Sequence, residues 1–187
     1  MKSSPVNTKV NFGFISGLEG GPTLTGYVPD PDHSKSGVTI ATGFDIGQRS
    51  PEDLKKLLPQ SLVKKLSIYC GLIKQQAVAA LSIAPLAISS DEADVIDLCV
   101  KSQLLEQLQH RYNRSSDLPF YQLTEQQQTV IASVAFQYGD LSKRCPKFWR
   151  AVTAQDWEQV SVELRDFGDR YTSRRHREAN YLEMVTA

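Results

Sequence analysis

Three residues in the first quarter of the chain can do chemistry together: Glu19, Thr39 and Asp45. Cutting a glycosidic bond needs a carboxylic acid that still carries its proton, to protonate the leaving oxygen. It also needs a second polar or charged group that activates water or stabilises an oxocarbenium-like transition state. Glu19 suits the first role. It ends a short run in which Phe12, Ile15 and Leu18 recur at helical spacing and Gly20-Gly21 stops the helix. The macrodipole disfavours negative charge at a helix C-terminus, and Phe12, Phe14, Ile15 and Leu18 partly exclude water; both favour the neutral acid. The plain alternative is a solvated Glu at a helix end, which by position alone is the commoner case.

Asp45 and Thr39 suit the second role. Read as one strand, the segment from Val38 puts Val38, Ile40, Thr42 and Phe44 on one face. Thr39, Ala41, Gly43 and Asp45 fall on the other. Ala41 and Gly43 then leave a shallow floor between the two polar residues, on which a sugar ring can rest. The alternative is that Gly43 marks a bulge and Asp45 caps the turn before Gln48.

The elements that must hold these residues are legible in outline. Residues 1–11 read as a flexible N-terminal tail and 12–187 as a single domain, with a small sheet over about 22–47 and a helical lobe over about 50–187. Tyr27-Val28 has strand character, and Pro29 to Gly37 is a turn-rich loop. Ser50 caps and Pro51 opens a helix, and Pro59 and Gly71 punctuate two or three short ones. Ser90 starts a long helix with Val95, Leu98, Leu105 and Tyr112 along a stripe. Thr124 and Gln127 form a capping box before Val130, Ile131, Val134 and Tyr138, and Gly139 stops that helix. Further helices are expected over 146–152, 154–167 and 173–185. The expected class is α+β.

Composition narrows the function. The 187 residues carry 21 Lys+Arg and 21 Asp+Glu, a formal net charge of zero, which argues against a nucleic-acid binder. Arg165, Arg170, Arg174, Arg175 and Arg177 make the C-terminus locally basic. Such a run is a solvated helix face or a patch for an anionic polymer. Cys70, Cys99 and Cys145, with His33, His110 and His176, show no metal-ligand spacing, so no metal and no cofactor is expected. The first ten residues lack the apolar core of a signal peptide, and no apolar run approaches membrane-spanning length. Synthesis in the cytoplasm without membrane insertion is the expectation, as a monomer.

Gly17-Leu18-Glu19-Gly20, followed by Val38-Thr39-Ile40-Ala41-Thr42-Gly43-Phe44-Asp45-Ile46-Gly47, resembles the active-site region of the pesticin-type muramidases, toxin relatives of the phage lysozymes. Ordinary phage lysozymes place the Asp before the Thr; here the Thr comes first, as in the pesticin branch. The stretch Leu123 to Gly139 is similar to the family's central helix. Phe148-Trp149, Trp157 and Arg174-Arg175-His176-Arg177-Glu178 are similar to its later helices. The resemblance covers about 12–185 and implies a lysozyme-like fold. It further implies that Glu19 is the general acid and that Thr39 and Asp45 flank the water and the developing charge. The substrate implied is the peptidoglycan glycan strand, cut at the β-1,4 link between N-acetylmuramic acid and N-acetylglucosamine. Tyr27, His33, Phe44 and Gln137 are candidates to line the substrate cleft, and Arg174 or Arg177 to pair with Glu19. Phe136, Tyr138, Trp149 and Trp157 read as core.

The resemblance also implies a setting: an antibacterial effector or toxin that acts in the periplasm or wall of a target cell after export or injection, guarded by an immunity protein. A phage-type endolysin is the alternative setting. Two other classes compete. A wall-cutting cysteine peptidase or amidase would use one of the three Cys with His110 or His176, and a non-catalytic glycan-binding module would keep the fold without the chemistry. Chitin or chitosan, also β-1,4 amino-sugar polymers, compete as substrates.

Overall fold

The computed structural model describes residues 8–184. The chain is α+β: ten helices and a three-stranded antiparallel sheet among the described residues. It divides into two compact units. One is the continuous segment Glu19–Gln103; the other joins the segment up to Leu18 with the segment from Leu104 on.

In the Glu19–Gln103 unit, β1 (Thr23–Tyr27), β2 (Thr39–Ala41) and β3 (Phe44–Asp45) lie in that order across the sheet. The segment expected as one strand from Val38 to Asp45 is in fact a tight hairpin. Thr39 pairs with Asp45 and Ile40 with Phe44. Thr42 and Gly43 form the turn, Gly43 at φ +83° and Ala41 at φ +53°. Glycine is the residue that takes such a φ without strain, and it lets the chain reverse here. Ile40 and Phe44 face a core with Val38, Ile46, Leu54, Leu62, Val63, Leu66 and Ile96.

Helices α2 (Pro51–Leu57), α3 (Gln60–Leu66) and α4 (Lys74–Ile83) close this core. Ser50 and Asp53 form a reciprocal capping box at the start of α2, with Pro51 in its first turn. Gly26 N–H donates to the Leu86 carbonyl and Ile88 N–H to that of Leu24, both at 2.9 Å, so residues 86–88 cover the free edge of β1. Gly37 and Gly47 pack backbone to backbone under the Leu72 carbonyl; a Cβ on Gly47 would lie 2.3 Å from that oxygen.

Helix α5 (Ser90–Asn113) spans the boundary between the units. The stripe expected from Val95 and Leu98 is corrected here: Val95 is 37% and Leu98 59% exposed, while Ala93 and Ile96 are buried in one core and Leu105, Leu108 and Tyr112 in the other. At about 100° per residue, the buried stripe turns around the helix as it passes from one core to the next. A single periodic template therefore picks the wrong face for its first half.

The other unit is helical. Residues 1–7 of the expected tail lie outside the described residues. Those that follow are tied down: Lys9 N–H donates to Gln128 and Asn11 N–H to the Thr129 hydroxyl, each at 2.8 Å. Helix α1 (Phe12–Glu19) buries Ile15, and Phe14 stacks on Tyr181 with ring centres 4.0 Å apart. The central helix α6 (Glu125–Tyr138) starts at the Thr124/Gln127 capping box and ends at Gly139, φ +73°. Of the helices that follow, α7 (Leu141–Arg144) and α10 (Thr172–Leu182) pack against it, while α8 (Pro146–Ala154) packs on α7 and on α9 (Trp157–Arg165), which in turn packs on α10. Phe136, Tyr138, Trp149 and Trp157 pack on this core.

Candidate active site

Glu19 is the last residue of α1, and Gly20 at φ +76° turns the chain away. Its side chain is largely shielded from solvent. Lys101 of α5 donates to Oε2 at 2.7 Å, and the two side chains keep 12% and 14% of their surface exposed. A charge-assisted contact this short and this shielded fixes the carboxylate far better than a surface pair would.

Asp45 and Thr39 face the same side of the sheet, as expected, but as opposed partners in a hairpin. Directly opposed residues share a face and lie within side-chain reach. Tyr27 of β1 pairs with Thr39 in turn, so Tyr27, Thr39 and Asp45 form one row across the sheet. Asp45 is held by its own loop: Gly37 N–H donates to Oδ1 and Oδ2 at 3.1 and 3.2 Å. Thr39 donates from its hydroxyl to the Gly37 carbonyl at 3.2 Å and is 3% exposed. Thr39 therefore shapes the hairpin more than it meets solvent, whereas Tyr27, 40% exposed, is open to it.

The hairpin turn is anchored from α5. Thr42 donates from its N–H to Asp97 at 3.2 Å and from its hydroxyl at 2.5 Å. Asp97 and Lys101, the two residues on which the turn and the acid depend, escaped sequence reasoning. Their i,i+4 spacing reads as an ordinary surface ion pair of a long helix.

Several expected roles are corrected. Phe44 is 5% exposed and lies in the core beneath the row, because it pairs with Ile40 on the opposite face. Gln137 accepts from Arg175, which commits its carbonyl oxygen to a buried cluster. Arg174 donates to Glu178 at 3.1 Å and to the Ser133 hydroxyl at 3.0 Å. Arg177 reaches the Gly17 carbonyl at 3.3 Å. The cation on Glu19 is thus Lys101; Arg174 and Arg175 spend their charge on Glu178 and Asp169, and Arg177 stays exposed. His33 is exposed against Asp30.

Arg175, 1% exposed, binds Glu178, 0% exposed, and Asp169 at 3.0 Å, and it stacks over Phe167 with 4.6 Å from its guanidinium carbon to the ring centre. A cavity of about 400 Å³ beside it is lined by Tyr138, Cys145, Phe148, Phe167 and Asp169. The three cysteines are free, and burial pushes each thiol up, away from the reactive thiolate. Among the described residues no group of three or more His, Cys, Asp or Glu side chains could hold a metal, and no helix is long and apolar enough to cross a membrane.

A small antiparallel sheet in one unit and a helical core in the other, with a Glu at a helix end and a Thr/Asp pair on a hairpin, make up an α+β chain of lysozyme-like type. The family model described as "Bacterial toxin homologue of phage lysozyme, C-term", pesticin, matches residues 9–158. The chain belongs to the pesticin family. The match spans Glu19, Thr39 and Asp45 and ends before α10. No curated protein matches the chain. Membership supports a lysozyme-type glycoside hydrolase toxin with peptidoglycan as substrate.

Proposed function

We propose that this protein is an N-acetylmuramidase that cleaves the β-1,4 link between N-acetylmuramic acid and N-acetylglucosamine, with Glu19 as general acid. The observation that carries the reading is the shielded Glu19 carboxyl on Lys101, in the same unit as a carboxylate, Asp45, held by backbone N–H. Glu19 gives its proton to the glycosidic oxygen. The C1–O bond breaks with its electron pair going to that oxygen, and Glu19 is left as carboxylate. The developing positive charge at C1 is met by Asp45. Water adds to C1 and loses its proton to a carboxylate, which completes hydrolysis. Tyr27, exposed in the same row, offers a ring face to a sugar.

The setting fits an effector delivered to the wall of a target bacterium, with an immunity protein that blocks the site in the producing cell. The raised thiols count against the cysteine peptidase reading.

Digestion of purified peptidoglycan by wild type and Glu19→Gln, read by mass spectrometry, tests the proposal. Disaccharide-peptides with reducing N-acetylmuramic acid ends, released by wild type alone, are expected. Released stem peptides with intact glycan would overturn it in favour of a peptidase, and no cleavage would favour a binding module. Parallel digestion of chitin, expected to be inert, tests the choice of polymer. The anomer released, followed by NMR, separates a water-activating Asp45 (inversion) from one that shields or bonds C1 (retention).

A further inference from the structure

We infer that the Asp97/Lys101 face of α5 is the spacer that positions the acid against the hairpin, with Lys101 as the positioning residue that selects which oxygen of Glu19 carries the proton. The inference rests on the reading of Glu19 as general acid. Three observations support it. Lys101 donates to Oε2 of Glu19 at 2.7 Å with both side chains shielded. Asp97 accepts both the N–H and the hydroxyl of Thr42. Thr42 lies in the turn midway in sequence between Thr39 and Asp45. One helix face thus grips both halves of the candidate site.

Residues four apart on a helix share a face and are separated by roughly 6 Å along its axis. That interval is set by the helix backbone, not by a loop. The acid and the opposing carboxylate are therefore referred to a single rigid ruler, all of it within the Glu19–Gln103 unit. Site geometry held by a regular element is tighter than geometry held by loops.

The selection of oxygen follows from donor chemistry. An ammonium only donates, so the Glu19 oxygen that it touches must accept. When Glu19 is protonated, its proton must then sit on Oε1. When that proton leaves for the glycosidic oxygen, the ammonium meets the negative charge left behind without moving. Lys101 thereby acts through Glu19 and touches no substrate.

Steady-state kinetics on peptidoglycan with Lys101→Met, Lys101→Arg, Asp97→Ala and Lys101→Met/Asp97→Ala test this, beside Glu19→Gln. Misplacement of a catalytic group by an ångström can cost about 100-fold. Lys101→Met should lose about 10- to 100-fold in kcat with KM nearly unchanged, at temperatures where circular dichroism shows a folded protein. Lys101→Arg should recover much of that loss, as should methylammonium added to Lys101→Ala. Asp97→Ala should lose less. The double variant should lose less than the product of the single losses, because both changes act on one distance. Wild-type kcat in Lys101→Met would overturn the inference, as would a loss that neither Lys101→Arg nor methylammonium relieves. If Lys101→Met does not fold, Lys101→Arg with wild-type kcat supports the assignment and with a crippled kcat at normal stability refutes it. Full activity in Glu19→Gln would instead sink the underlying assignment of the acid.

Discussion

The two units each bury charge, and they do so in opposite ways. In the Glu19–Gln103 unit the Glu19–Lys101 pair keeps about an eighth of each side chain in contact with solvent. In the other, Arg175 and Glu178 are sealed at 1% and 0%, and Asp169, Gln137, Arg174 and Ser133 complete their hydrogen bonds. The first arrangement leaves one carboxylate oxygen for a reacting partner; the second leaves none. A sealed network specifies a fold, and a half-open pair is available for chemistry. Of the arginines near the C-terminus, Arg174 and Arg175 therefore belong to the helical core, while Arg165, Arg170 and Arg177 stay exposed.

That contrast breaks most sharply at the two acids. Glu19→Gln is nearly isosteric and should cost about 100- to 10,000-fold in kcat, the range for a general acid, with a melting curve close to that of wild type. Asp45→Asn should cost about 100- to 1,000-fold, as for loss of a charge stabiliser. Thr39→Ala should cost less, since the buried hydroxyl is spent on Gly37. Arg175→Met should do the reverse of Glu19→Gln. Opening a sealed pair costs about 3–5 kcal/mol of stability, read by denaturant unfolding, while the protein that remains folded should keep its turnover. Loss of turnover without loss of stability in Arg175→Met would erase the distinction between the two clusters.

Acid sharpens the comparison further. Burial alone would raise the Asp169 carboxyl, but hydrogen bonds from Tyr138, the Tyr171 N–H and Arg175 outweigh it and hold the group below its ordinary value. A carboxyl lowered on folding adds stability above the value of an unfolded Asp, about 3.9, and that stability is lost as pH falls through the folded value. Melting temperatures measured from pH 6 down to pH 2 should fall less steeply in Asp169→Asn than in wild type, from a lower starting point. The smallest effect expected is that of the thiols. Cys70→Ser, Cys99→Ser and Cys145→Ser should each leave glycan cleavage unchanged, with Cys145→Ser least stable because it is the most buried. A dead Cys→Ser variant that remains folded would reopen the peptidase reading.

Much of the frame was legible in the sequence because it depends on local chemistry. The Phe12/Ile15/Leu18 spacing, the capping boxes at Ser50 and Thr124, and the stops at Gly20 and Gly139 are decided within one turn of chain. Thr39 and Asp45 share a face, as the alternation predicts, but across a hairpin and not along one strand. A single strand and a three-residue reversal both bring residues of that parity to one side, so the pattern does not tell them apart. Phe44 reads as a cleft-lining candidate by residue type, although Val38 and Ile40 on the same face already mark it as core. The partner of Glu19 was beyond local reasoning. Lys101 is 82 positions away, and nothing in its neighbourhood distinguishes it from Lys64 or Lys65. Long-range pairing of charges is settled by tertiary packing, to which sequence spacing is blind.

The division of the chain has a consequence for its synthesis. The unit that holds Glu19 and the hairpin is one continuous stretch, Glu19–Gln103, and can consolidate as soon as it clears the ribosome. Helix α1 cannot. Its Phe14 stacks on Tyr181 and its Ile15 belongs to a core built from residue 105 onward. At 5–20 residues per second, α1 waits about 8–30 seconds for its partners to be made. During that interval Phe12, Phe14 and Ile15 lack the core they cover in the folded protein. Helix α1, which ends in Glu19, is thus the described segment that waits longest for the residues it packs against.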